Sequence, residues 1–290
     1  MYERYFGLRT KPFSLTPDPE FLYLSRQHSM AMTMLEYGLE SQAAFSLLTG
    51  DIGSGKTTLL RRLLRTLGDQ VAVGLISNTH ARFRSIYPWA LSALSIVPAD
   101  DSEIAQYEAL VDTLINHYGR GRRTLLIIDE AQNLSIDLLE ELRLLSNVNS
   151  ERDLVVQILL VGQPELRHKL AQPELQQFAQ RVSVDFHLRP LDCTEAQAYV
   201  RHRLEVAGGS AALILPEAVE FVHSRTNGVP RLINQLCDSA LLYAYADGRP
   251  NVDADLIAQV VRDRSTGIAL PDAAPVDNKA PRVLPTNGAA

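Results

Sequence analysis

Eight consecutive residues, Gly50-Asp51-Ile52-Gly53-Ser54-Gly55-Lys56-Thr57, carry the clearest chemistry in this chain. They fit G-x-x-x-x-G-K-[ST], a pattern that wraps phosphate. Its glycines let backbone N–H groups curl around phosphate oxygens, and a helix start favours the anion through its dipole. The Lys56 ammonium has the reach for β- and γ-phosphates, and the Thr57 hydroxyl is a ligand for Mg²⁺. A second stretch, Thr124-Leu125-Leu126-Ile127-Ile128-Asp129-Glu130, is mainly apolar until its two final acids. Asp129 suits an ion that keeps most of its waters. Glu130 suits polarisation of an attacking water. The octet with Thr58 is the candidate ATP-binding set, Thr57 and Asp129 the candidate metal ligands, and Lys56 and Glu130 the first candidate catalytic residues.

Such residues need elements to hold them. Phe45-Ser46-Leu47-Leu48-Thr49 reads as a buried strand leading into the glycine-rich loop. Lys56 to Leu67 reads as the helix leading out, with Leu59, Leu60, Leu63, Leu64 and Leu67 on one face. Strands are expected at 45–49, 71–76, 124–129, 154–161 and 182–188. Helical patterns are expected at 56–67, 85–95, 103–118, 136–146 and 164–180. Alternation of this kind predicts a five-stranded parallel sheet covered on both faces, with ligand at the carboxyl ends of the strands.

The flanks read differently. Residues 1–43 hold an aromatic, proline-rich segment that docks by its rings, then a helix from Ser25 to Glu40. The α/β unit spans 44–190, and after Pro190 the strands stop. Thr194-Glu195-Ala196-Gln197 has the form of a capping box opening a helix to about Ala207. Pro216 and Pro230 suit first positions of further helices, and a last helix covers about 253–264. Residues 191–265 are thus expected to form a small all-helical domain. Residues 266–290, poor in large apolar side chains, are expected to be disordered.

Composition narrows the classes. The 290 residues are 46% hydrophobic, enough for a real core, and carry a net charge of −6. That field does not draw in nucleic acid or anionic lipid. No apolar run reaches the ~18 residues that span a bilayer, and the start lacks a signal-peptide layout. Cys193 and Cys237 form no C-x-x-C pair, which fits a reduced compartment, and the histidines show no zinc-type spacing.

A P-loop α/β unit followed by a helical lid is the AAA+ plan. Within it the chain resembles the ATPases of the general secretion pathway protein A group. The resemblance rests on Phe6-Gly7-Leu8, Pro12-Phe13, Pro17-Asp18-Pro19, His28 and Glu36-Tyr37-Gly38-Leu39. It continues through the P-loop, Asp129-Glu130-Ala131-Gln132-Asn133-Leu134, Glu141 to Asn147, Val161 to Leu166 and Gln180-Arg181-Val182. It ends with Arg201 to Leu204 and Gly228-Val229-Pro230-Arg231-Leu232-Ile233-Asn234.

The resemblance implies further roles. Gln163 would sense the γ-phosphate or the water. Arg181 would reach a neighbouring subunit's γ-phosphate, the alternative being a local salt bridge. Arg231 would close on nucleotide from the lid, the alternative being a pairing with Asp238 or solvent. It also implies a homo-oligomer, built head to tail as a ring or helix. The partner implied is an inner-membrane protein of a secretion, pilus or polysaccharide system. The chain would act in the cytoplasm, peripheral to the inner membrane, and no cell-wall-binding part is expected in it. More distant transposition relatives of the Mu B type supply a rival, ATP-dependent DNA binding, with Arg82-Phe83-Arg84 as the candidate contact. Arg61, Arg62 and Arg65 read as a solvated face, and Arg143 as a partner for Glu140.

Overall fold

The computed structural model describes residues 1–16, 18–77, 79, 84–149 and 154–265. Arg82, Phe83 and the 266–290 tail therefore lie outside the described residues. Five strands form one sheet: β1 (Phe45–Gly50), β2 (Val71–Ile76), β3 (Arg123–Ile128), β4 (Val156–Gly162) and β5 (Val182–Leu188). The order is β2-β3-β4-β1-β5, and all neighbours run parallel. β1 is buried throughout, as is β4, which is why both read as unbroken apolar runs rather than alternating ones.

The helices follow in chain order. α1 (Tyr2–Tyr5) and α2 (Arg26–Glu40) precede β1, and α3 (Lys56–Thr66) follows it. α4 (Tyr87–Ala93) and α5 (Glu103–Gly119) separate β2 from β3. α6 (Ile136–Leu145) precedes β4, and α7 (Pro164–Leu170) and α8 (Gln176–Ala179) precede β5. α9 (Cys193–Val206), α10 (Pro216–Thr226), α11 (Pro230–Ala246) and α12 (Ala254–Ser265) complete the described chain.

Three cores result. α2 and α3 cover one face of the sheet, with Ala31, Leu35, Leu59 and Leu63 against Leu48, Ile127 and Val161. α4 to α8 cover the other, around Phe45, Leu110, Leu138, Leu142 and Phe178. The third core belongs to α9–α12, and Tyr2, Leu8, Phe13 and Phe21 from the start of the chain are buried in it. Tyr2, Phe13 and Phe21 thus pack with the C-terminal helices rather than with the sheet.

Three expectations need correction. The helix expected over 164–180 breaks into α7, a 3₁₀ turn at Pro173–Leu175 and α8. Pro173 has no N–H to continue an α-helical ladder and restricts the residue before it. The helix expected over 85–95 shortens to α4, with Pro88 in its first turn. The capping box lies two residues earlier than expected: Asp192 caps α9 and Glu195 returns the bond to the Asp192 N–H. Leu191 is buried in the lid core and donates its N–H to Gly228 O, so the first polar residue after that anchor takes the cap.

Candidate nucleotide site

The P-loop runs from the end of β1 into α3. Gly53 has φ +82° and Gly55 φ +104°, values that L side chains rarely adopt. A Cβ on Gly53 would stand 2.5 Å from Arg231 Cβ, and one on Gly55 would stand 2.8 Å from His28 Nε2. The loop is therefore closed on both sides by other elements, and only glycine fits between them. Gly55 is the N-cap of α3 and offers no side-chain bond, leaving the first-turn N–H groups open to an anion. Among the described residues the buried Ser54 hydroxyl has no hydrogen-bond partner. A cradle of bare N–H groups with an orphaned hydroxyl fits a polyphosphate.

Lys56 is buried, and its ammonium donates to Gly50 O at 2.6 Å and Asp51 O at 2.8 Å. Burial lowers its pKa, while the charges of Glu130, Asp129 and Asp51 oppose that. Held by carbonyls alone among the described residues, with acids nearby, this cation is poised to exchange those bonds for phosphate oxygens. Thr57 is exposed to the cleft. Asp129 is buried, and one of its oxygens accepts the Glu130 N–H at 2.9 Å. Burial raises its pKa against that bond. Among the described residues no group of three or more His, Cys, Asp or Glu gathers as a metal cage. One hydroxyl and one carboxylate are the donor set that Mg²⁺ takes beside phosphates and water.

Glu130 adopts φ 53°, ψ 37°, an uncommon region for this residue. Thr79 Oγ1 donates to the Glu130 carbonyl at 2.7 Å and to that of Asp129 at 3.2 Å, fixing the turn. The Glu130 carboxylate accepts from Gln132 Nε2 at 2.6 Å and from Gln163 Nε2 at 3.3 Å. Gln163 stands one residue past β4, which pairs with β1, so sheet order brings it beside the P-loop.

A cleft of about 690 Å³ unites most of these parts, while Asp129 does not contribute to its wall. Ile52, Gly53, Gly55, Lys56, Thr57, Thr58, Glu130, Gln163 and Arg231 contribute to its wall. Gly50, Asp51 and Ser54 complete the loop without forming that wall. Arg231, at the start of α11, donates its backbone N–H to Gly53 O at 3.3 Å. Asp238 does not meet it; that carboxylate accepts the Tyr2 hydroxyl instead.

Arg181 lies elsewhere. It precedes Val182, which pairs with Phe45, whereas the P-loop starts opposite Leu188. Five residue steps along β1 place it roughly 17 Å from its own P-loop. Its guanidinium donates to Arg143 O at 3.1 Å and Ser146 Oγ at 2.5 Å, a local anchor with no carboxylate in it. Arg143 pairs with Glu140 at 2.7 Å, and Arg61, Arg62, Arg65 and Arg84 are exposed.

Several residues of the site carry no role in the sequence reading. His28 Nδ1 lies 2.9 Å from Ser25 Oγ, and Nε2 lies 3.1 Å from Ser54 O. The carbonyl can only accept, so Nε2 carries the proton. Ser14 to Thr16, Asp18 and Phe21 to Tyr23 supply part of the cleft wall, as do Tyr199, Arg203 and Asn234 of the lid. Buried Arg203 donates to Pro12 O at 2.5 Å, Ser14 O at 3.3 Å and Tyr199 Oη at 2.9 Å, and stacks over Phe21 at 5.0 Å. His28, Arg203 and Asn234 sit inside the motifs quoted for the resemblance; Thr79 and Tyr199 have no sequence signal.

Among the described residues no helix is long and apolar enough to cross a membrane. The signature of the family described as AAA domain matches residues 39–170. General secretion pathway protein A of Aeromonas hydrophila is 38% identical over 273 residues, 92% of this chain. The chain spans 50% of that relative's length. The ORC2 protein of Aeropyrum pernix, solved in ADPNP-ADP complexes, superposes with a TM-score of 0.62 at 18% identity over 87% of this chain and 71% of its own. Cdc6p of Pyrobaculum aerophilum gives 0.62 at 16% identity, covering 87% of this chain and 70% of its own. The Walker-type ATPase PABY2304 of Pyrococcus abyssi gives 0.60 at 17% identity, over 88% of this chain and 77% of its own. Those likenesses carry the fold, and the secretion relative carries the sequence. The chain carries an AAA domain over residues 39–170, and over 92% of its length its sequence is similar to general secretion pathway protein A.

Proposed function

We propose that the chain binds Mg·ATP in this cleft and hydrolyses it to ADP and phosphate. The observation that supports this best is the convergence of Lys56, Thr57, Glu130 and Gln163 on one cleft at the carboxyl ends of β1, β3 and β4. Lys56 draws the β- and γ-phosphate oxygens into the loop. Glu130 takes a proton from water as the water oxygen bonds to the γ-phosphorus and the bond to the bridging oxygen breaks. Gln163 orients that water or the γ-phosphate, and Arg231 closes the lid over it. Mg²⁺, held by Thr57 and through water by Asp129, would offset charge on the phosphates.

The position of Arg181 supports action in trans. Too far from its own P-loop, it would stabilise charge developing in a neighbour's site. Such contacts are head to tail and give rings or open helices. The 38% identity to general secretion pathway protein A supports a role in secretion, pilus or polysaccharide assembly, in the cytoplasm beside an inner-membrane partner. Turnover of ATP by wild type and by Glu130→Gln tests the chemistry. Export or surface assembly in a strain carrying only Glu130→Gln tests the role.

A further inference from the structure

We propose that Gln132 is a positioning residue for Glu130, resting on the reading of Glu130 as the base. Its amide bridges the Glu130 carboxylate and Gln163, the N-cap of α7. The bonding pattern fixes the orientation of that amide. The Gln163 backbone N–H, 3.1 Å away, can only donate, so it takes Gln132 Oε1. Nε2 is then left to face Glu130 Oε2 at 2.6 Å, where only an acceptor stands.

The bridge is rigid at both ends. Lys169, from α7, donates to the carbonyls of Gln132 at 2.6 Å and Leu134 at 2.5 Å, pinning the turn that carries Gln132. A Cβ on Gly162 would stand 2.9 Å from Gln132 Oε1, so the amide fills the space beside the last residue of β4. Gln163 adds a second amide to the same carboxylate oxygen at 3.3 Å. Among the described residues Glu130 forms no ion pair. Neutral amides aim the carboxylate without neutralising it, as a base requires. The role needs a donor and an acceptor on one side chain of this length. Methionine has the length without either group, and asparagine has both groups but is one methylene short.

The test compares Gln132→Met, Gln132→Asn, Glu130→Gln and the double variant Glu130→Gln/Gln132→Met. For each, kcat, affinity for a fluorescent ATP analogue and melting temperature are measured. Both single Gln132 variants are expected to lose roughly tenfold or more in kcat, less than the roughly hundredfold or greater loss for Glu130→Gln. Analogue affinity should stay within about twofold, with the melting temperature unchanged. The double variant should turn over no more slowly than Glu130→Gln, because residues that act as a unit are not additive. Wild-type kcat in both single variants overturns the proposal. So does an equal fractional loss in the Glu130→Gln background, or a loss that tracks affinity or melting temperature. Wild-type turnover in Glu130→Gln removes the base assignment itself, and the proposal with it.

Discussion

His28 Nε2 donates to the Ser54 carbonyl across 3.1 Å, tying the start of α2 to the middle of the P-loop. Ser25, the N-cap of α2, holds the other ring nitrogen. Burial lowers the His28 pKa from its ordinary 6.5, against the pull of the Ser54 carbonyl. The unfolded chain therefore binds the proton more readily at slightly acid pH, and stability rises with pH across that interval. Acidification from about pH 7.5 to about pH 5.5 should cost the wild type stability that His28→Asn does not lose. His117 and His187, also lowered by burial, remain in both proteins, so the difference isolates His28. Urea midpoints at the two pH values decide it; equal losses remove His28 from the account.

Lys56→Ala should weaken ATP binding by roughly tenfold to a hundredfold, the cost of one or more charge-assisted hydrogen bonds. Glu130→Gln should bind ATP as wild type and turn it over poorly. Titration with a fluorescent analogue checks the first, and unchanged affinity there would sink the site assignment.

Arg181→Ala should bind nucleotide normally and lose hydrolysis. Mixing it with Lys56→Ala should restore some turnover where a sound loop meets a sound arginine. If wild-type activity per subunit stays constant on dilution below the assembly constant, the trans role is wrong.

Gly228→Ala should be among the most destabilising single changes in the lid. Gly228 has φ +73°, and a Cβ there would overlap the backbone carbonyl of Leu191. Backbone cannot yield as a side chain tip does. A loss of about 3 kcal/mol or more would follow, which for a chain of this size lowers the melting temperature by roughly 6 °C or more. Thermal unfolding of the two proteins measures it directly.

Duplex DNA should not stimulate hydrolysis at ~150 mM salt, because a chain of net charge −6 repels a polyanion. Saturable, salt-weakened stimulation abolished by replacing Arg82 and Arg84 would favour the DNA-binding reading instead.

The sheet is legible in the sequence because β1 to β4 are mainly apolar runs between polar turns, while β5 alternates apolar and polar residues. The P-loop is legible because its chemistry lies in one contiguous octet. Asp129 and Glu130 follow from their place at the end of β3. The surrounding contacts are not legible, for a physical reason. His28 meets Ser54 from 26 residues away, and Arg203 meets Pro12 from 191 away. Periodicity reports which face of an element is apolar, not which distant element covers it. The amide pair on Glu130 is hidden in the same way, since Gln132 and Gln163 come together only once β3 and β4 lie side by side.

The N-terminal segment's place in the lid core has a consequence for how the chain is made. Tyr2, Phe13 and Phe21 leave the ribosome before the helices that bury them, which come after residue 190. The α/β unit can condense while the lid is still being synthesised, but these rings wait in solvent until α9 and α11 exist. Closing so long a loop is slow, and exposed rings invite wrong contacts in the meantime. The last stage of folding should therefore be the meeting of the chain's beginning with its final helices. That same step completes the wall of the nucleotide cleft, so the binding site matures only when the ends of the fold have joined.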